Sequence, residues 1–314
     1  MPPSDDQLHL LALCRIPHMK WHVVARQAQR PGGLQKLLEG QVTESSEEAA
    51  VARAALRAST GLASLPDHLA EVQEMVSTAS SKGDIRLVTV LDPDYPVNLR
   101  LIFNLPPFLF VRGTLEPDDA LAVAVVGTRQ ASSKGLAQTE RMASLLSGMG
   151  VTVLSGLAKG IDTAAHEATL DAGGRTIAVM GTGINRVYPS ENQQLAERIA
   201  SQGALVSQFW PDQAPTKYTF PRRNVVTSGL GQGTVVIEAS ATSGAKMQAR
   251  LAVDHGKQVF LISSLVREYS WARSYLKRGA IEVSEPDEIV KLLKPPDVVA
   301  ARSRQIHQDA LALD

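Results

Sequence analysis

Apolar residues fall along this chain in two rhythms. Up to about residue 80 they recur three or four apart. Leu8, Leu11 and Ala12 with Arg15 begin one amphipathic segment, and Val23, Val24, Leu34, Leu37 and Leu38 mark two more, broken at Pro31-Gly32-Gly33. Ser45 to Ala58 is rich in Ala and Glu, both good helix formers. This spacing predicts a small all-helical domain over residues 1–82. From Ile85 the rhythm changes to short β-branched runs, each ending in Gly or Ser and followed by a helical pattern. The runs are Ala122–Val126, Val151–Leu154, Thr176–Met180, Ala204–Val206, Val235–Ile237 and Gln258–Ile262. They lack strict alternation, as strands buried on both faces of a parallel sheet do. Between them lie helical stretches such as Met142, Leu145, Leu146 and Met149, or Leu195 and Ile199. Strand alternating with helix implies right-handed βαβ units, so the expected fold class is α/β, a doubly wound, mostly parallel sheet over residues 83–294. Pro295-Pro296 opens an expected C-terminal tail, 295–314, read as a loose end or a short helix.

Composition narrows the function without naming it. The 314 residues suffice for two domains, and 32 basic residues cancel 32 acidic ones, which argues against indiscriminate coating of nucleic acid but not against a local basic cleft. Cys14 is the single cysteine, which excludes an intrachain disulfide and a cysteine metal cluster. No apolar run reaches the length of a membrane span and the N-terminus has no leader pattern, so a cytoplasmic, non-membrane protein is expected.

In such a sheet, ligands bind beyond the carboxyl ends of the strands, where glycine lets the backbone approach and helix N-termini offer free N–H groups. One glycine tip alone merely makes a turn. Several tips carrying polar residues form an anion cradle. The first tip holds Gly127, Thr128, Arg129, Ser132 and Ser133, with an arginine placed to fork two phosphate oxygens. The second holds Gly156, Lys159 and Asp162, the third Gly181, Thr182 and Gly183 on to Tyr188 and Asn192. A fourth segment runs Lys217-Tyr218-Thr219-Phe220-Pro221-Arg222-Arg223-Asn224, cations interleaved with aromatics. That composition suits backbone neutralisation with base stacking on single strands, although a solvated charge run reads similarly.

No Walker-type phosphate loop is present, and Arg186 stands where GxGxxG needs its third glycine after Gly181 and Gly183, so no nucleotide cofactor is expected. No serine-nucleophile triad or nuclease metal spacing stands out, and a non-enzymatic protein is expected. His166, in a helix of small residues, reads as structural. Glu238, at a strand end, is the carboxylate to watch as an acid or base.

These motifs in this order resemble the DNA-processing protein A (DprA/Smf) family. The carriers are Gly127-Thr128-Arg129, the highly specific run Ser155 to Asp162 with His166, Gly173 to Val179, Gly181 to Asn192, Phe220 to Asn224, and Glu238-Ala239 with Ser243-Gly244. Upstream, Asp92 to Pro96, Pro106-Pro107 and Arg112-Gly113 are similar to the family's entry into its extended Rossmann domain, so the likeness covers roughly residues 85–260. The resemblance implies a SAM-like helical domain followed by an extended Rossmann-like domain. It further implies a homodimer that binds incoming single-stranded DNA during natural transformation and loads a RecA-type recombinase on it. Arg129 would be a principal phosphate contact, with Lys159, Asn192 and Arg222-Arg223-Asn224 lining the same groove.

The chain also departs from the family. Ser190 stands where many relatives have a lysine, Ile16-Pro17-His18-Met19 replaces a glycine-bearing hairpin, and Ala245-Lys246-Met247-Gln248 replaces Ser-Leu-Ile-Thr. Ser263-Ser264 stands in place of an expected Pro-Gly, and no winged-helix-like C-terminal domain is expected. These departures admit a second role, a DprA-like antitoxin or sensor in anti-phage defence whose partner is a toxin or effector. A third, a nucleoside-monophosphate-cleaving protein of the lysine-decarboxylase-like group, rests on Gly229-Leu230-Gly231-Gln232-Gly233-Thr234, although Glu238 follows too far behind it.

Overall fold

The computed structural model describes residues 2–81 and 83–312, with side chains in the last helix as far as residue 305. Lys82, where the expected domain boundary falls, and residues 313–314 of the expected tail lie outside the described residues.

Five helices open the chain: α1 (Asp5–Arg15), α2 (Trp21–Ala28), α3 (Gly33–Leu38), α4 (Glu47–Arg57) and α5 (Leu65–Ser81). Ser4 and Ser46 cap α1 and α4 by accepting the free N–H of Gln7 and Ala49, and both first turns are acidic, which suits the positive end of a helix. Gly32 supplies a left-handed φ of 64° at the entry to α3, so Pro31-Gly32-Gly33 is a helix break. The buried apolar residues of these helices and those of the sheet form one continuous cluster. Trp21 is the hinge of that contact, with ring centroids 5.1 Å from Phe108 and 5.6 Å from Trp210.

The sheet then builds up through β1 (Ile85–Thr89), α6 (Val97–Arg100), β2 (Phe108–Gly113), β3 (Ala122–Val126), α7 (Ser133–Gly148), β4 (Thr152–Ser155), α8 (Ile161–Asp171) and β5 (Thr176–Val179). It continues through α9 (Gln193–Gln202), β6 (Ala204–Ser207), α10 (Thr219–Leu230), β7 (Gly233–Val236), α11 (Gly244–Asp254) and β8 (Gln258–Ile262). Last come α12 (Ser263–Glu268), α13 (Ser270–Leu276), β9 (Ile281–Val283), α14 (Pro286–Val290) and α15 (Pro296–Ala312).

The order is β1-β2-β6-β5-β4-β3-β7-β8-β9. From β6 to β9 neighbours are parallel, while β2 pairs antiparallel with β6 and β1 with β2. This is the expected α/β class, with an antiparallel hairpin extending the doubly wound core. β3 to β7 are buried along their whole length, which is why their sequences do not alternate. The chain leaves β3 for β4 on one side and returns through α10 to β7 on the other, so the switch point lies beside β3. β9 follows no glycine-ended run and is not picked out by the sequence pattern. The tail is not loose: α15 is a 17-residue helix whose Val299 and Ser303 are buried.

Candidate nucleic-acid interface

The tips of β3, β4 and β7 converge on a cleft of about 480 Å³ at the switch point. Val126 to Gln130 form one wall, Ala158 and Asp162 another, and Ser240 with the first turn of α11 a third. Phe220, Arg223, Asn224 and Thr227 close it from α10. These α10 positions recur at helical spacing, which puts them on one face. The N-termini of α8 and α11 reach the cleft through Asp162 and through Ser243, Gly244 and Ala245, and that of α7 follows Ser132 nearby, so partial positive charge is brought to it.

Arg129 stands exposed at the mouth, its guanidinium 5.1 Å from the Phe220 ring centroid, and it forms no ion pair among the described residues. Phe220 leans on Tyr188 at 5.8 Å between centroids, and Tyr188 is 47% exposed. Arg129, Gly156, Lys159, Tyr188 and Phe220 line a smaller notch beside the cleft. The exposed Lys159 ammonium donates to Glu191, and Lys217 lies 5.1 Å over the ring of Tyr218, itself 68% exposed. The result is a ledge of cations and open aromatic faces beside an anion-receiving cleft. Such a surface can neutralise phosphates while rings accept bases by stacking.

Of the sequence-derived candidates, Gly127, Arg129, Arg223 and Asn224 line the cleft, and Gly156 and Lys159 line the notch with Arg129. The remaining six line neither. Ser132 accepts from the Gly135 N–H at 3.0 Å as the α7 cap, and Ser133 is the exposed residue after it. Gly181 is small because a Cβ there would stand 2.7 Å from the Phe220 ring. Asn192, expected to line the groove, is buried and donates to the Leu157 carbonyl and the Thr163 hydroxyl, both at 2.9 Å. It holds Leu157 in its left-handed conformation (φ 61°) instead of facing a ligand. Lys217 sits on the flank of the ledge.

Arg222 and Arg223, expected to act together, are separated by the helix. The Arg222 guanidinium lies 4.9 Å from the Trp21 centroid, on the N-terminal helices, and 5.5 Å from that of Phe209. Arg223 is buried in the cleft floor, packed against Gly156 where a Cβ would collide with its guanidinium. Its Nη1 lies 3.9 Å from Asp162 and donates to the Val179 carbonyl at 3.3 Å, while its Nε has no partner. Burial pushes the Asp162 carboxyl above its ordinary range, and Arg223 draws it partly back.

Glu238 is a structural anchor: its Oε2 accepts both the N–H and the hydroxyl of Ser132 at 3.0 Å. Gly135 is small because a Cβ would meet that oxygen. Ala245, Met247 and Gln248, where the family pattern fails, line the cleft and are not a remote surface. Gly229 packs on Leu99 and Ile102, and Gly233 begins β7. That glycine run therefore occupies the strand's N-terminal end, away from the cleft, and cannot serve it as a phosphate loop. His166 is fully buried and its hydrogen bond to Thr176 (2.7 Å) leaves it no route to a ligand. Tyr188 and Phe220 come from the third tip and the fourth, aromatic-cationic segment, whereas Thr227, Ser240, Ser243 and Gln248 belong to the site without having been singled out as contacts. The helical spacing 220-223-227 is the signal that finds Thr227.

Fold and site together define a doubly wound α/β protein with an anion-receiving switch-point cleft and an aromatic-cationic ledge. The family model for DNA recombination-mediator protein A matches residues 86–294, and the chain belongs to that family. It is 40% identical over 203 residues to protein Smf of Escherichia coli, a match covering 64% of this chain and 54% of that protein. The chain thus spans little more than half the length of that curated relative. The structure of DNA processing protein A from Streptococcus pneumoniae superposes with a TM-score of 0.72 at 26% identity, covering 94% of this chain and 99% of that one. DNA processing protein A from Helicobacter pylori, solved for its single-stranded DNA binding mode, gives 0.60 at 25% identity, covering 67% and 96%. Among the described residues no helix is long and apolar enough to cross a membrane, and no group of His, Cys, Asp and Glu is placed to hold a metal ion.

Proposed function

We propose that this chain binds single-stranded DNA along the ledge of Arg129, Phe220, Tyr188 and Lys159, and as a homodimer delivers that strand to a RecA-type recombinase. The observation that carries the reading is Arg129: an exposed guanidinium with no carboxylate partner among the described residues, over an aromatic ring at the mouth of a cleft that two helix N-termini reach. Family membership and the single-stranded DNA binding of the Helicobacter pylori relative support it. Lys159 reaches its phosphate by exchanging Glu191 for it, a solvent-exposed pair that costs little to break.

No base-reading arrangement accompanies the ledge, so binding tracks the backbone. Two grooves in a dimer raise the effective concentration of a bridging strand without a new contact. We further propose that the cleft has no turnover chemistry, since Glu238 is committed to Ser132 and His166 is buried. A titration of single-stranded against duplex DNA over a salt series tests the reading. Single strands should bind tighter, with log K falling by about 0.7 per log unit of salt for each phosphate contacted. Equal or tighter duplex binding overturns it.

A further inference from the structure

At the opposite ends of the parallel strands lies a second groove, of about 420 Å³, that the DNA reading does not use. Its floor is apolar and buried, formed by Leu154 of β4, Ile177 of β5 and Leu230 at the end of α10, with Leu115 on one side. α15 supplies the far wall through Pro296, Asp297 and Ala300. Around this floor stand five carboxylates, Asp94, Glu116, Asp118, Asp119 and Asp297, and among the described residues no Lys, Arg or His lines it.

Three of the five are already matched from outside the groove. Arg86 pairs with Asp94 at 2.5 Å, and Arg175 pairs with Asp119 at 2.7 Å and Glu116 at 3.2 Å. Asp118 and Asp297 are exposed and form no ion pair among the described residues. Asp297 also opposes the partial positive charge at the α15 N-terminus, and with Arg86 and Arg175 offsetting two of the five charges the rim stays net negative. The chain as a whole is neutral, so this negative field is local.

We propose that this groove docks a protein partner through one large apolar side chain flanked by lysine or arginine. The floor has the volume and character of a pocket for an anchoring side chain, the kind of contact that carries most of a small interface's affinity. The rim then selects for the charge beside that anchor and speeds encounter with it. Nucleic acid and acidic segments are repelled. Because the helical turn at residues 117–120 and the end of α10 lie before β3 and β7, the groove sits at the N-terminal ends of the strands, so it can be filled while the cleft at their carboxyl ends holds another ligand. The proposal does not rest on what the cleft binds.

The test is a random heptapeptide display library selected on the full chain and counter-selected on Ala300→Trp, which fills the groove from the half-buried face of α15. The recovered peptides should share a large apolar residue with Lys or Arg within two positions. Synthesised, they should bind wild type at least tenfold tighter than Ala300→Trp and tighter than the exposed double variant Asp118→Asn, Asp297→Asn. They should shift the methyl resonances of Leu154, Ile177 and Leu230, and leave single-stranded DNA affinity within twofold. Melting curves confirm that the variants fold, and the double variant carries the test if the tryptophan does not. The proposal is overturned if no peptide discriminates, if discriminating peptides are uncharged or acidic, or if binding survives the double variant unchanged.

Discussion

Arg223 and Arg129 are both cleft-lining arginines, and the structure assigns them opposite tasks. Arg129 is exposed and forms no ion pair among the described residues, whereas Arg223 is buried with its charge answered by Asp162. Removing one partner of a buried pair leaves the other charge uncompensated, at a cost of about 3–5 kcal/mol. Arg223→Met should therefore lower stability by about 3 kcal/mol, read by denaturant titration, and a loss below about 1 kcal/mol would contradict the pairing. A double substitution of Arg222 and Arg223 would mix unfolding with any loss of DNA contact and cannot report on the ledge. His166 gives a second residue-scale expectation. The Thr176 hydroxyl donates to the Val153 carbonyl at 2.7 Å, so His166 Nδ1 must donate to Thr176 and Nε2 stays without a partner. Burial, with Arg223 nearby, pushes His166 down to about 3. The unfolded chain takes up its proton near pH 6.5. The folded pKa is the depressed one, so this contribution is complete above pH 6.5 and lost as the pH falls toward 3, at about 1.4 kcal/mol per unit. Stability of His166→Gln should fall less steeply than wild type between pH 6.5 and 4.5. Parallel slopes would show that His166 does not titrate as described.

At the scale of elements, the sequence discloses the strands that end in glycine and conceals what each glycine touches. All six expected runs form strands, two of them with the expected ends and the rest displaced by at most two residues, because burial on both faces leaves an unambiguous β-branched signature. The reasons for Gly127, Gly156 and Gly181 were not legible. A Cβ would meet Ile161, Arg223 and Phe220 respectively, partners 34 or more residues away in the sequence. The same limit separates Arg222 from Arg223: adjacent letters in one motif sit about 100° apart on a helix, one toward Trp21 and one into the cleft. Asn192 was expected to line the groove from the family resemblance, and only the fold shows its amide turned inward to Leu157. Glu238 illustrates a carboxylate whose strand-end position suggested chemistry and whose neighbours assign it to holding α7. Glu238→Ala should lower stability by about 1 kcal/mol through loss of the Ser132 hydrogen bonds. Neither Glu238→Gln nor wild type should release base from AMP or CMP. Release by wild type that disappears in Glu238→Gln would instead establish an enzyme.

The whole molecule is organised as a sheet with two differently charged ends. The carboxyl ends of its strands carry helix N-termini, Arg129 and open aromatic rings, and the amino ends carry an apolar groove under carboxylates. Net neutrality hides both, which is why composition alone could exclude indiscriminate nucleic-acid coating but could not locate a cleft. Among the contacts of the N-terminal helices with the rest of the chain, Trp21 packs against Arg222, so their position is coupled to the start of α10, the helix that presents Phe220. The measurement that bears most directly on this account is the affinity of Arg129→Ala for single-stranded DNA, taken beside its melting curve. Loss of a charge-assisted contact should weaken binding by about 1.5–3 kcal/mol, with Arg129→Lys losing less. Folding should change by less than about 1 kcal/mol, since an exposed residue with one cation–π contact is removed. If Arg129→Ala binds single strands as tightly as wild type while remaining folded, the ledge at the switch point is not where DNA binds.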